Sequence, residues 1–377
     1  MAVPKTALLF FDDTHHSIDL RYFCGFEVHD PFIALRFGRK IIGVLNALEY
    51  GRALKESSFD EVIPLEEITT AAQKAGIDAP GPADHIAALA RRLKIKSFEV
   101  PEDFPSHLLL RLVDMYIDLQ VIEGAIFPER EIKSDAEAKA IRDGNRCASA
   151  GFSAAEAMLR AATIKGRRLV YEGKTLTSEC VRTAIQTACI ATGGFPADAI
   201  VAGGDQGCDP HCRGSGSLRP HDLIIIDISP RMFSSGYWGD MTRTYLRGQA
   251  SDVQRDLVSA VSQAQKAALK AVKAGVFADA VHSESNRIFD ELGYQTKRTT
   301  TGAVGFFHGT GHGLGLAIHE APRIGSVHRR LRKGAVVTVE PGLYYPGLGG
   351  CRIEDVAQVT DGRPKMLSRH NYDWELQ

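Results

Sequence analysis

The stretch His308-Gly-Thr-Gly-His312-Gly-Leu-Gly315, followed by His319-Glu320, decides how this sequence is read. Its two histidines have the spacing of a helical zinc motif, but that motif requires a glutamate directly after the first histidine. The four glycines at positions 309, 311, 313 and 315 also argue against a helix, since each costs about 1 kcal/mol there. We therefore predict an extended or looped backbone that passes close to a ligand.

Acidic residues at the ends of predicted strands lie on both sides of this stretch. Two aspartates are joined by a turn-rich connection, which predicts a hairpin that brings them together. Two glutamates follow the histidines, and a carboxylate that ends a buried apolar run needs a partner or a metal. Hard divalent cations prefer carboxylate oxygen, and a paired site activates water. The predicted ligands for two such metals are Asp227, Asp240, His312, Glu340 and Glu354.

Arg352 and the segment 208–212 lie near the predicted ligands in the sequence or precede them closely. Period-two geometry places Arg352 and Glu354 on one strand face, so Arg352 is predicted to keep Glu354 ionised; an ordinary surface ion pair is the alternative. Cys208, His211 and Cys212 have no second pair at suitable spacing, which argues against a zinc cluster. His211 is instead a candidate site residue in a glycine-rich loop. For each aspartate alone, a helix cap or turn is the alternative.

Length and composition bound the class of protein. A chain of 377 residues predicts two domains. The net charge of -1 gives no reason to expect nucleic acid or a membrane surface as a partner. Seven cysteines without a framework spacing, and a start without a signal-peptide pattern, favour the cytoplasm. Four of them are predicted to be small core residues: Cys24, Cys147, Cys180 and Cys189.

The order of predicted elements divides the chain. Residues 1–127 alternate strands with helices, as in an α/β domain, and residues 127–131 are predicted to be a linker. From 128 onward, helix, helix and strands occur twice. The first helix begins at Ser134 with a capping box, and the second covers 178–191. The third runs from Ser251 to about residue 274, and the fourth ends near Gly293. This order predicts an internally duplicated α+β domain over 128–377.

These residues together resemble the pita-bread metallopeptidases, which include prolidase, aminopeptidase P, methionine aminopeptidase and the metal-free creatinase. The resemblance implies a creatinase-like domain over 1–127 and a pita-bread catalytic domain over 128–377. It assigns the five predicted ligands to a dinuclear metal site. It also makes His308 and His319 substrate- and intermediate-binding histidines, and His211 the upstream active-site histidine. In the family that upstream histidine usually precedes a tyrosine, where this chain has Cys212.

The sequence departs from the family pattern after the first aspartate. The family usually has Asp-x-Gly, whereas this chain has Asp227-Ile-Ser229, and its spacing to Asp240 is longer by two. An insertion of two residues lengthens a hairpin without turning either side chain to the other face. We therefore expect the metal site to be kept and the loop 230–236 to reshape its rim.

The resemblance implies hydrolysis of the bond before proline. The N-terminal domain argues against a methionine aminopeptidase, and the five ligands argue against creatinase and against a non-catalytic peptide-binding module. A short chain with a compact connection from Glu340 to Glu354 favours an Xaa-Pro dipeptidase, with aminopeptidase P acting on longer peptides as the alternative. The family implies two divalent ions, Mn²⁺ before Co²⁺, Zn²⁺ or Fe²⁺, and a homodimer whose substrate is a proline-containing dipeptide or short peptide.

The implied mechanism gives individual residues their roles. Glu340 is the candidate proton shuttle, because a carboxylate beside the attacking water accepts its proton and passes it to the proline nitrogen. His319, and secondarily His308, would stabilise the tetrahedral oxyanion. Arg323 is the candidate that pairs with the free carboxylate of a dipeptide, and Arg352 is included among the substrate-binding candidates.

Overall fold

The computed structural model describes residues 6–300 and 302–377, and the chain forms two compact units. One unit ends at Pro128 and the other runs from Glu129 to Gln377. Phe127 is buried and packs its ring 6.1 Å from that of Phe10, and Glu131 is also buried. The boundary between the two units thus falls inside the segment 127–131, which the sequence predicted to be a linker.

The N-terminal unit is one six-stranded sheet with helices. The strand order is β4-β3-β2-β1-β5-β6, in which β1, β2 and β3 are antiparallel and the other pairs are parallel. Alternate residues of the first strand enter two different apolar clusters, because successive side chains point to opposite faces. Its strands are β1 Thr6–Asp12, β2 Phe32–Phe37, β3 Lys40–Leu45, β4 Glu61–Pro64, β5 Ser97–Pro101 and β6 Asp118–Ile122. Its helices are α1 Ile18–Cys24, α2 Ala47–Glu56, α3 Leu65–Lys74, α4 Pro82–Leu93 and α5 Ser106–Asp114.

The C-terminal unit contains four long helices, each pair followed by strands. The helices are α6 Asp135–Ala161, α7 Ser178–Ala191, α8 Asp252–Ala271 and α9 Ala278–Glu291. The strands of the first half are β7 Thr163–Lys165, β8 Arg168–Tyr171, β9 Lys174–Thr175, β10 Gly194–Pro196, β11 Ile200–Gly203, β12 Ile224–Ile228, β13 Pro230–Met232 and β14 Met241–Arg247. Those of the second half are β15 Lys297–Thr299, β16 Gly302–Val304, β17 Gly311–Gly313, β18 Glu320–Ile324, β19 Val336–Val339, β20 Gly342–Tyr345, β21 Gly349–Arg352, β22 Asp355–Gln358, β23 Lys365–Met366 and β24 Glu375–Leu376.

Helix starts were well marked in the sequence. Ser134 and Glu137 form the predicted capping box, and Ser251 and Gln254 form a second one. The helix predicted over 178–191 has those bounds, whereas the third helix ends at Ala271, three residues early. Helix, helix and strands thus occur twice, as predicted.

Two sheets of the C-terminal unit carry the residues of interest. One has the order β11-β12-β14-β24 and the other β18-β17-β19-β22-β23. The segment between β21 and β22 joins them, because the Glu354 amide donates to Thr242 O over 3.0 Å and the Arg352 amide donates to Thr244 Oγ1 over 3.0 Å. These two hydrogen bonds hold the chain that leads into β22 against β14.

The glycines of the histidine stretch are required by close packing of strands. A Cβ on Gly311 would lie 2.0 Å from Thr338 O of β19, and one on Gly313 would lie 2.2 Å from Ala321 O of β18. The extended backbone is as predicted, and at these two positions the missing side chain lets the stretch pack against the flanking strands.

Burial of the cysteines follows the prediction except at one position. Cys24, Cys147 and Cys189 are buried, whereas Cys180 is exposed. Cys180 lies on the outer face of the first turn of α7, so its prediction as a core residue was wrong. Among the described residues, no helix combines the length and apolar character that a bilayer span needs.

Candidate metal centre

Asp227 and Asp240 lie on neighbouring antiparallel strands. In the register of β12 and β14, Asp227 is opposite Thr242 and Ile228 is opposite Met241. The pairing extends past the strand ends, since Ser229 Oγ donates to Asp240 Oδ1 over 3.0 Å. The connection is not a simple hairpin, because β13 between them pairs with β10. Period-two geometry still projects both carboxylates from one face.

His312, which lies in the second sheet, faces the carboxylates of Asp240 and Glu340. Its Nδ1 lies 3.1 Å from Gly313 O, a contact that requires the proton on this nitrogen. The lone pair of Nε2 then points at Asp240 Oδ2, 3.6 Å away, and at Glu340 Oε1, 3.4 Å away. The imidazole lone pair of His312 and the carboxylates of Asp240 and Glu340 therefore converge on one point.

Glu354 completes the cluster from the segment that joins the sheets. It lies between β21 and β22, and not within a strand as predicted. Its Oε2 accepts a hydrogen bond from Thr242 Oγ1 over 2.9 Å, while its amide is bound to the same residue's carbonyl. The ligand-type atoms of Asp240, His312 and Glu354 all lie within 4.8 Å of one another.

Arg352 acts on Glu354 through its charge, which favours the ionised form as predicted although burial raises the pKa of Glu354, but its hydrogen bonds go to other residues. Its Nη2 donates to Asp227 Oδ2 over 2.6 Å, and its Nη1 donates to Tyr344 Oη over 3.1 Å. The alternating pattern that paired Arg352 with Glu354 does not apply, because the strand ends at Arg352. Arg352 is 3% exposed, so the alternative of a surface ion pair is also excluded.

The centre carries more negative charge than its surroundings neutralise. Burial raises the pKa of Asp240, and the charges of Asp227 and Glu340 raise it further. Burial and the neighbouring carboxylates likewise raise the pKa of Glu354, and burial raises that of Glu340. The buried Oδ1 of Asp227 has no hydrogen-bond partner among the described residues. A set of buried carboxylates and one imidazole lone pair is the donor chemistry of hard divalent cations, so the residues fit such ions.

His308 belongs to a chain of hydrogen bonds that starts at this centre. Its Nδ1 lies 2.7 Å from Gly309 O, so that nitrogen carries the proton, and its Nε2 accepts from Tyr344 Oη over 2.9 Å. Burial and the charge of Arg352 lower the pKa of His308 to about 4. The ring is therefore neutral near pH 7, with both nitrogens engaged.

The other predicted site residues are more open to solvent. The His319 ring lies edge-on to that of His312, with centroids 4.4 Å apart. His211 is exposed in the loop before β12, and it is near enough that its charge would lower the pKa of both His308 and His319. Arg323 is exposed inside β18, and burial together with the charge of Arg323 lowers the pKa of His319.

Two residues at the centre were not predicted. Thr242 binds Glu354 twice, and a period-two count from Asp240 would have found it on the same face. Tyr344 connects Arg352 to His308, and it is fully buried despite its hydroxyl. A tyrosine in an apolar strand four residues after Glu340 does not by itself indicate a site residue. Its partners Arg352 and His308 are known only from the fold.

Comparison with known proteins identifies the family of this chain. The model of metallopeptidase family M24 matches residues 139–361, which is more than half of the sequence. The chain belongs to this family. As an M24 member it is a metallopeptidase and thus a hydrolase, and divalent metal ions are the cofactors that the family implies.

Two curated relatives and one solved structure are similar to this M24 chain. The Xaa-Pro dipeptidase of Pyrococcus furiosus is 37% identical over 174 residues, 46% of this chain and 47% of that protein. The alignment thus spans about half the length of that relative. The Xaa-Pro dipeptidase of Pyrococcus horikoshii is 28% identical over 329 residues, 85% of this chain and 82% of that protein. The X-Pro aminopeptidase structure from Thermotoga maritima superposes with a TM-score of 0.83 at 24% identity, covering 100% of this chain and 98% of that one. The fold is therefore the predicted α+β pita-bread fold.

Proposed function

We propose that this protein is an Xaa-Pro dipeptidase that hydrolyses the bond before a C-terminal proline. The observation that carries the proposal is the buried cluster in which Nε2 of His312 lies 3.6 Å from Asp240 Oδ2 and 3.4 Å from Glu340 Oε1, with Glu354 close by. The names of the two Pyrococcus relatives support the substrate class. Residues 1–127 would be the creatinase-like domain of this enzyme. The family resemblance supports a homodimer, and the seven cysteines without a framework spacing support a cytoplasmic location.

Five side chains would hold the metals. Their carboxylate-rich donor set permits Mn²⁺, Co²⁺, Zn²⁺ or Fe²⁺, and the family resemblance favours Mn²⁺. Two divalent ions bound there would supply Lewis-acid activation of a water molecule and of the scissile carbonyl. The ligands would be the predicted set: Asp227, Asp240, His312, Glu340 and Glu354. Arg352 and Thr242 would hold two of these carboxylates in place, through the contacts to Asp227 and Glu354.

Glu340 would move the proton. As a carboxylate beside the place where the attacking water would be held, it is the candidate proton acceptor. It would accept a proton from the attacking water and deliver it to the proline nitrogen. That nitrogen carries no hydrogen in the peptide and must be protonated to leave as an amine.

The histidines around the centre have different proposed roles. His319 is open to solvent beside His312, so it is our candidate for the donor to the developing oxyanion. Both nitrogens of His308 are engaged, by Gly309 and Tyr344, which favours a substrate contact over a donor role. His211 would contact substrate from the loop before β12, and Arg323 would pair with the proline carboxylate.

The experiment compares three substrates on the Mn²⁺-loaded protein: an Xaa-Pro dipeptide, its C-terminal amide and an Xaa-Pro-Yaa tripeptide. A dipeptidase should cleave the free dipeptide far faster than the other two. Arg323→Ala should weaken cleavage of the free dipeptide and leave the slow cleavage of the amide unchanged. Cleavage of the amide or the tripeptide at the same rate as the free dipeptide would indicate an aminopeptidase P instead of a dipeptidase. No cleavage of any of the three substrates would favour a peptide-binding module.

A further inference from the structure

His282 of α9 contacts the histidine stretch, although it is neither a predicted ligand nor a predicted catalytic group. Its Nδ1 lies 2.9 Å from Thr310 Oγ1, and its ring centroid lies 5.4 Å from that of Phe306. These two residues are the second neighbours of His308 on either side. One side chain of α9 therefore contacts the chain both before and after His308.

The direction of the hydrogen bond to Thr310 is defined by a third residue. Thr310 is fully buried, and its hydroxyl donates to Ser285 Oγ over 3.3 Å, one turn further along α9. Its oxygen must then accept from His282, so Nδ1 of His282 carries the proton. Burial lowers the pKa of His282, which keeps this ring neutral near pH 7.

Thr310 is also tied to the proposed proton shuttle. Its carbonyl accepts the amide of Glu340 over 2.7 Å. It lies two residues from both His308 and His312. A shift of Thr310 would therefore move the backbone beneath three residues of the site together.

Phe306 completes the support on the other side. Its ring stands edge-on to His308 with centroids 5.0 Å apart, and it packs against Phe289 of α9 at 5.3 Å. His282 and Phe289 are seven residues apart, two turns along one helix face. The two side chains hold the Phe306 ring, which in turn limits the tilt of His308.

We propose that His282 is a positioning residue for the hydrolysis, which fixes His308 and Glu340 through Thr310 and Phe306. This inference deepens the proposed function and rests on it. His282 touches neither the carboxylate cluster nor any residue that would meet substrate in the contacts described above. Its effect would appear in turnover, since misplacement of reacting groups by less than an ångström slows chemistry more than it weakens binding.

The test uses His282→Leu and His282→Asn in the metal-loaded enzyme. Leucine removes the Nδ1 donor, whereas the asparagine amide nitrogen takes nearly the same place. We expect His282→Leu to lower kcat about 3- to 10-fold, the range of one hydrogen bond, with bound metal unchanged and with a smaller rise in KM through His308. His282→Asn should recover most of the loss. His328→Leu is the matched control, since His328 is an exposed histidine bound to Asp279 of the same helix, and it should keep the wild-type kcat.

A double-mutant cycle with Thr310→Val separates positioning from a general loss of stability. If His282 acts through Thr310, the two losses in kcat should not add. Unchanged kcat in His282→Leu, additive losses, or a loss explained by missing metal would overturn the inference. Should His282→Leu fail to fold, the kcat of His282→Asn and Thr310→Val decides.

The proposed function and this inference fail in different ways. If the wild-type enzyme cleaves no Xaa-Pro substrate, the function is wrong, and the positioning is then read from the metal-free protein by NMR. The imidazole nitrogen signals of His308 should shift in His282→Leu and stay in place in His328→Leu. Unshifted His308 signals would refute the positioning by itself.

Discussion

The Nη2 of Arg352 lies 2.6 Å from Asp227 Oδ2, and its Nη1 donates to Tyr344 Oη. Tyr344 in turn donates to Nε2 of His308. One buried guanidinium therefore links a ligand-type carboxylate of the first sheet to a histidine of the second. Lysine cannot replace it, because an ammonium group has no planar fork that reaches both partners.

Arg352→Lys should lower kcat about 10- to 100-fold, since it keeps the charge and breaks a buried charged hydrogen bond worth about 1.5–3 kcal/mol. Metal content should stay close to that of the wild-type protein. Steady-state kinetics with metal analysis of the same sample measures both. Arg255→Lys is the control, because the ion pair of Arg255 with Glu375 is at the surface. An Arg352→Lys enzyme with normal turnover would remove this link from the mechanism.

Asp240→Asn should abolish peptidase activity and lower metal content while the fold survives. In the metal-free protein it should also raise the melting temperature near pH 7. The pKa of Asp240 is raised by burial and by Asp227 and Glu340, so its ionised form destabilises the metal-free fold increasingly as pH rises. Thermal unfolding in the presence of a chelator, at pH 5 and pH 8, measures this. A variant with full metal occupancy and normal turnover would show that Asp240 is no ligand.

His319→Ala should reduce kcat about 10²–10³-fold without removing metal, as loss of an oxyanion donor does. His308→Ala should also slow turnover and retain metal, whereas His312→Ala should lose metal, because only the Nε2 of His312 faces the carboxylates among these three. Metal content of the three purified variants is the measurement. Loss of metal from either His308→Ala or His319→Ala would invalidate this division of roles.

Glu156→Gln should make the protein less stable at neutral pH, by about 1–3 kcal/mol. Burial alone would raise the pKa of Glu156, but hydrogen bonds from His370, Tyr245 and Asn371 outweigh it and lower the pKa. A lowered carboxyl pKa contributes stability above the ordinary value of 4.5, and that stability is lost as pH falls below it.

Urea unfolding of the Glu156→Gln variant and the wild-type protein from pH 3 to pH 7 tests this. The difference in stability between them should shrink as the pH falls below 4.5. Glu284→Gln is the control, because Glu284 pairs with Arg287 on the exposed side of α9. A difference that stays constant over the whole range would contradict the assignment of the lowered pKa to Glu156.

Local patterns in the sequence determined the helices and the identity of the candidate ligands. Serine with glutamate or glutamine three residues later defined the starts of α6 and α8, because a capping box depends on four consecutive residues alone. Carboxylates at the ends of apolar runs marked the candidate metal site, because a buried charge demands compensation wherever the run lies in the fold. The order of helices and strands indicated the duplicated unit, because each of these elements was marked by its own local pattern.

Pairing between distant segments was decided by the tertiary structure. Arg352 was assigned to Glu354 from strand periodicity, but the strand ends between them and the guanidinium meets Asp227 instead, 125 residues away. The glycines at 311 and 313 make room for the carbonyls of neighbouring strands, whose identity no local pattern contains. His282 and Tyr344 act on His308 only through the fold. Such contacts depend on register and on helix placement, which are global properties of the packed chain.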